Sequence, residues 1–198
     1  MPSPVLGLAA EKILSGAIDL TTDDIKISLL DFSDDGVAIT GATNATPIAV
    51  TSTSHGLTSG DRVLIAGVLG NTAANGVRLV TVSDTDTYTL QDLAGDDVAG
   101  NGAYTSGGVG LDLETIEFFD DLTGVVASSA NLASKTVEGG IFDAADVTIN
   151  SVSGDGVDGL AVWKDTGTPG TSPVIAFCTG AVTPDGNNVV VAFSASGI

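Results

Sequence analysis

Residues 52–76 read STSHGLTSGDRVLIAGVLGNTAANG. The stretch holds the chain's only histidine, His55, close to Ser52, Ser54 and Asp61, and glycines at 56, 60, 67, 70 and 76 give it the look of a phosphate-cradling loop. A Ser–His–Asp relay needs three side chains converging from separate elements beside an oxyanion site, and no G-x-S-x-G elbow occurs in the chain. A phosphate loop needs G-x-x-x-x-G-K-[ST]. Here Gly70 is followed by Asn71 and Thr72, and no lysine lies between Lys26 and Lys135. The Asn75-Gly76 pair ahead of VRLVTV is instead a turn signal. The stretch therefore reads as turns around one strand, RVLIAGV, with His55 ordering a loop.

Outward from it the chain is patterned for β structure. Strands are expected at Ile25–Phe32, Ile48–Thr51, Arg62–Val68, Val77–Ser83, Thr87–Gln91, Val147–Val152, Leu160–Trp163, Val174–Cys178 and Val189–Phe193, each rich in β-branched or aromatic residues between Gly, Asn, Asp or Pro clusters. One helix is expected at the start. Ser3 suits the cap and Pro4 the first helical position, Leu6, Ala10, Ile13, Leu14 and Ala17 form one face, and Gly16 marks the end. A helical or extended segment is expected at Leu113–Leu122, with Ile116 and Phe119 toward a core. Residues 41–110 contain both tyrosines but no Phe or Trp, and turn-rich GATNATP (41–47) and GNGAYTSGGVG (100–110) bound them. The expected fold is mainly β: a discontinuous β-sandwich-like host domain, residues 1–40 and 111–198, with one short N-terminal helix and an inserted small β-barrel, residues 41–110.

Charge narrows the function. Twenty-five acidic residues against 6 basic ones give a net charge of −19. Such a surface repels phosphate backbones and anionic lipid, so neither nucleic acid nor membrane is an expected partner. No apolar run approaches the roughly 18 residues of a membrane helix, and no signal-peptide pattern opens the chain, which points to assembly in a cytoplasm. Cys178, the single cysteine, lies in the apolar run SPVIAFCTG and reads as a buried structural thiol.

Other chemistries lack their residues. DFSDDG (31–36) places Asp31, Ser33, Asp35 and Gly36 at calcium-loop positions, but Ala42 stands where the bidentate Glu belongs. Asp84 with Asp86, and Asp155 with Asp158, read as turn carboxylates. One His and one Cys cannot build a transition-metal site. A glycan cleft needs aromatics beside carboxylates; Trp163 with Asp158 and Asp165 is the single modest cluster, and Trp163 reads as a core anchor on LAVWK. No catalytic residue, metal or cofactor is expected, and the chain does not read as an enzyme.

Two resemblances add context. H-G-L-x-x-G-D at 55–61, G-x-x-G-N-x-x-x-N-G at 67–76, D-x-x-T-Y-x-L at 84–90 and GNGAYTSGG at 100–108 resemble a small β-barrel module of tailed-bacteriophage virion proteins, related in pattern to a β-domain of ubiquitin-activating enzymes. ILSGAIDLTTDDIKISLLDF (13–32), residues 133–167 and SPVIAFCTG (172–180) are similar, more loosely, to small virion structural proteins of tailed phages. The resemblance implies a capsid decoration (cement) protein on the outer capsid surface of the virion, assembled in the bacterial host cytoplasm. Its partner would be the major capsid protein, and its self-association a homotrimer matching local three-fold axes. Pro2, Ser3, Pro4, Val5 and Leu6 are the expected capsid contacts, with the C-terminal SASGI (194–198) as the other source of apolar surface. The alternatives are a tail, neck or fibre-associated virion protein presenting the barrel as an adhesin, and a glycan-binding or glycan-cleaving module.

Overall fold

β-branched runs flanked by turn residues become strands across residues 6–154 and 156–193, the part of the chain described by the computed structural model. Helix α1 (Gly7–Leu14) and strand β1 (Ile25–Leu30) come first. Strands β2 (Val37–Ala38), β3 (Gly41–Ala42), β4 (Ala49–Thr51), β5 (Arg62–Ala66), β6 (Gly76–Val82), β7 (Thr87–Gln91) and β8 (Val109–Asp112) follow. Then come β9 (Val125–Ser128), β10 (Thr136–Glu138), β11 (Ile141–Asp143), β12 (Val147–Ile149), β13 (Val157–Lys164), β14 (Val174–Val182) and β15 (Val189–Val191). The fold is mainly β, and its contacts divide it into residues 1–31 with 116–198, and Phe32–Thr115.

The unit Phe32–Thr115 is one antiparallel sheet, ordered β2-β8-β5-β6-β7-β4-β3. Its two end strands are consecutive pieces of one extended segment. Val37 and Ala38 pair with Gly110 and Val109, and the Ile39 N–H donates to Gly108 O at 2.8 Å. The Thr40 N–H then donates to Thr51 O at 2.9 Å, and Gly41 and Ala42 pair with Thr51 and Val50. The segment thus bonds β8 on one side and β4 on the other, and the circuit of pairings closes into a small barrel. Alternation fills the inside: Ile48, Val50, Val63, Ile65, Val80, Tyr88 and Leu90 point inward with Ile39 and Val68. In β7, for example, only Tyr88 and Leu90 are buried, as the two-residue period of a strand requires. Gly110 is small because a Cβ there would crowd the Tyr88 hydroxyl and Val63.

The other unit has two sheets face to face. The first is ordered β14-β13-β1-β9, and the second pairs β12 with β15. Leu29, Val157, Leu160 and Val182 of the first pack on Ile149, Val189 and Val191 of the second. That is a small β-sandwich core. On the opposite face of the first sheet, register places Lys26 beside Trp163 and Ser28 beside Ala161. Hairpin β10–β11 stands apart as its own two-stranded sheet.

The helix differs from the sequence expectation. Ser3 and Pro4 lie outside the described residues. Leu6 occupies the cap position, and its N–H donates to Ile175 O of β14 at 2.8 Å. Leu6 and Ala9 are the buried residues here, whereas Leu14 is 88% exposed. The expected face of Leu6, Ala10, Ile13, Leu14 and Ala17 assumed about three turns. The actual helix has eight residues and ends before Gly16, whose φ of +76° breaks the repeat, so its last turn does not reach the sheet. Leu113–Leu122 is extended with a 3₁₀ turn at Phe119–Asp121, and it buries Ile116. Among the described residues no helix is long and apolar enough to cross a membrane.

Candidate functional site

The motif residues gather at the ends of the barrel strands, and each is used by backbone geometry. His55 is 7% exposed. Its Nδ1 accepts the Leu57 N–H at 3.1 Å, which leaves the proton on Nε2, and Nε2 donates to Asp84 O at 3.0 Å. The ring also meets Tyr88 edge-on, with centroids 5.0 Å apart. Neither nearby serine supplies a relay partner: the Ser52 hydroxyl donates to Ala38 O, and the Ser54 N–H donates to Asp86 Oδ1. Asp61 accepts both the N–H and the hydroxyl of Thr58. His55 is a staple between the 54–57 turn and the 83–87 turn. His55→Ala leaves one N–H and one carbonyl without partners, so it is expected to lower barrel stability by about 1–3 kcal/mol. Urea unfolding followed by tyrosine fluorescence checks this; an unchanged midpoint contradicts it.

The second motif forms a clasp. Asn75 pairs with Val68 as a strand would, accepting its N–H on Oδ1 and donating Nδ2 to its carbonyl, both at 3.0 Å. Asn71, 0% exposed, donates to Thr43 O and accepts the Asn101 N–H. Asn101 in turn accepts the Ala73 N–H and donates to the Thr72 hydroxyl. The Leu69 N–H donates to Ser106 O, the Thr105 N–H to Leu69 O, and the Tyr104 hydroxyl to Ile39 O. Loops 67–76 and 100–108 thereby lock to each other, which explains why both glycine-rich strings are needed. Arg78 fastens the same loop, with its guanidinium donating to the carbonyls of Ala73, Asn75 and Val77. Burial pulls that guanidinium below the usual arginine range. The roles of Asn71, Asn101 and Arg78 escape a linear reading, because their partners lie in other segments or are bare carbonyls.

Beside His55 lies an open depression of about 510 Å³, lined by Ser54, His55, Leu57, Val82, Asp84 and Thr85. A groove of about 270 Å³ runs between β14 and β15, lined by Leu29, Leu160, Cys178, Val182 and Val190 among others. Cys178 there is half-buried, where the sequence reading had it fully buried, because β14 is an edge strand at that point.

Carboxylates are likewise held by turns. Asp84 Oδ1 accepts the Asp86 N–H, and Asp92 Oδ1 accepts those of Ala94 and Asp96. In DFSDDG the N–H groups of Asp35 and Gly36 donate to Phe32 O. Among the described residues no three His, Cys, Asp or Glu side chains gather as a metal set. Burial raises the Asp112 carboxyl above its usual range, while the Lys26 ammonium at 2.6 Å holds Asp165 below its own. By linkage, the Asp165 contribution to stability is present at neutral pH and is lost as pH falls below the carboxylate range.

Trp163 is 6% exposed. Phe119 stacks on it at 3.9 Å, and its Nε1–H donates to the Ser28 hydroxyl at 2.9 Å. With Asp165 bonded to Lys26, the Trp163 cluster presents no free aromatic platform for a sugar.

The six basic residues share one fate. Lys26 pairs with Asp165, Arg62 with Glu114 and Lys164 with Asp23 at 2.6–2.7 Å. Lys135 donates to Asp23 O, Lys12 sits 5.6 Å over the Phe118 ring, and Arg78 is spent on carbonyls. Every basic side chain is thus engaged inside its own unit, three of them on carboxylates, in a chain with 25 acidic residues.

Of the expected capsid contacts, Pro2, Ser3, Pro4, Val5 and residues 194–198 lie outside the described residues, and Leu6 is 1% exposed. Its side chain is therefore spent on its own unit. No protein-family model matches the chain, and no curated protein matches it.

Proposed function

We propose that the chain is a structural component of a tailed-phage particle, a capsid decoration protein that seats on the outer face of the major capsid protein shell as a homotrimer. One observation carries this reading: all six cations are engaged within their own units, leaving an outward field that is almost wholly anionic. Such a field keeps many copies soluble side by side and turns away packaged nucleic acid. A second support is the resemblance of the 55–61, 67–76 and 100–108 strings to a virion barrel module, since here those strings serve backbone closure instead of chemistry. On a shell, many weak copies add up to particle stability.

The test is co-sedimentation with shells assembled without the protein. Binding is expected to saturate at fixed stoichiometry and to raise the shell's disruption temperature by several degrees. Shells that neither retain the protein nor gain heat resistance contradict the reading. The depression beside His55 favours the second reading, in which the barrel is displayed as an adhesin on a tail, neck or fibre. Electron microscopy of particles carrying the labelled protein separates shell from tail.

A further inference from the structure

Strands β10 and β11 form a hairpin with, among the described residues, no third strand on either outer edge. Thr136 faces Asp143, Val137 faces Phe142 and Glu138 faces Ile141. Gly139 and Gly140, with φ of +59° and +83°, make the two-residue turn whose twist suits a hairpin. A lone two-stranded hairpin is marginal in water unless an apolar face is covered. This one leaves Val137 45% and Ile141 41% exposed, and by the alternation of a strand the two lie on opposite faces. Phe142 shares the Val137 face, where Phe193 meets it edge-on at 6.2 Å.

The charged side chains within the hairpin, Glu138 and Asp143, are both acidic. The Glu138 side chain forms no hydrogen bond or ion pair among the described residues, Asp143 caps the Ala144 N–H, and Asp146 accepts the Phe193 N–H. The nearest cation in sequence, Lys135, is engaged with Asp23 O.

We propose that hairpin 136–143 is the docking element of the chain, and that its occupant is a partner protein surface with an apolar centre and a basic surround. On the reading above, which this inference extends, that surface belongs to the shell subunit. Charge complementarity selects the occupant. A second copy brings Glu138 and Asp143 against their own equivalents while the adjoining Lys135 is held on Asp23 O, and nucleic acid or anionic lipid carries the same sign as the hairpin carboxylates. Among the described residues neither edge has a strand partner, which leaves both open to strand addition, and Val137 and Ile141 supply the side-chain contacts on the two faces.

The test uses V137S/I141S, E138K, and a defined probe, an alternating Leu–Lys peptide, with an alternating Leu–Glu peptide as control. Both apolar side chains are nearly half exposed and the Glu138 side chain has no bond among the described residues, so these variants keep the fold, which circular dichroism verifies. Wild-type protein is expected to bind Leu–Lys with an affinity that falls as salt rises. Binding is expected to weaken about tenfold in V137S/I141S and about threefold in E138K. Leu–Glu is expected not to bind. Equal Leu–Lys binding by wild type and V137S/I141S overturns the hairpin as the site. Equal binding of Leu–Glu overturns the basic partner, and self-association that V137S/I141S abolishes makes a second copy the occupant instead. In a parallel arm, shells that retain wild type but release V137S/I141S support the inference. Shells that retain both overturn it and leave the decoration reading standing, whereas shells that retain neither remove that reading while the peptide arm still decides the hairpin.

Discussion

Gly70→Ala is expected to unfold the barrel. Gly70 holds φ at +83°, where an L-residue costs about 1–2 kcal/mol. The larger penalty is contact: a methyl group there overlaps the Ala103 carbonyl oxygen and the Thr105 hydroxyl and crowds the Thr105 amide. None of these can retreat cheaply. The Thr105 N–H is bonded to Leu69 O, and the flanking residues Asn101 and Tyr104 are tied to Asn71 and Ile39. Relief of the overlap means parting loops 67–76 and 100–108, so the total is expected to exceed about 4 kcal/mol, the range reached when strain and overpacking combine. Gly56→Ala is the control. Gly56 has a similar φ of +71° with nothing within 4 Å of its Cβ, so it isolates the backbone cost. Tyr88 and Tyr104, the chain's two tyrosines, both sit in the barrel unit, and thermal melting followed by tyrosine fluorescence reads the result. A Gly70→Ala variant that melts with Gly56→Ala contradicts the clasp.

Trp163→Ala carries the second large effect, in the sandwich unit. It removes the stacked partner of Phe119, the indole donor to Ser28 and the ring beneath the Lys26 ammonium. Truncating a buried aromatic costs about 3–5 kcal/mol, which in a chain of this length lowers the melting temperature by about 10 °C. Trp163→Phe keeps one aromatic ring but loses the N–H and the second ring of the indole, so its expected cost is intermediate, about 1–3 kcal/mol. Scanning calorimetry of the three proteins is the measurement. If Trp163→Ala melts with wild type, the indole is spare surface, and the glycan-binding alternative gains what the core loses.

The fold was legible where side chains announce it. Thr87–Gln91 is a strand from first residue to last because Tyr88 and Leu90 alternate with polar neighbours, and all nine expected strands have counterparts. β2 and β3 were not legible. Two residues each, one of them glycine, they carry no alternation, and they are defined by backbone partners some 10 to 70 residues away. β10 and β11 escaped for a related reason, since strands of three residues each are too short to show an apolar period. The helix was legible in kind and wrong in face, because periodicity says which residues align but not how many turns a sheet accommodates. His55 was legible as a loop residue. Its staple was not, since Asp84 lies on a different turn, and the same distance in sequence hid the Asn71–Asn101 bond.

The crossover at Ile39–Thr40 has a consequence for aggregation. Strands such as RVLIA, apolar and sparsely charged, are templates for fibre growth when a sheet ends in an open edge. By handing one segment from β8 to β4, the barrel leaves neither end strand of its sheet as a site for nucleation, and it does so without the lysines and prolines that guard edges elsewhere. A chain with six basic residues, all engaged, has few such guards to deploy. On the decoration reading proposed above, closure would suit a protein held at high local concentration, where an open sheet of the same composition would polymerise.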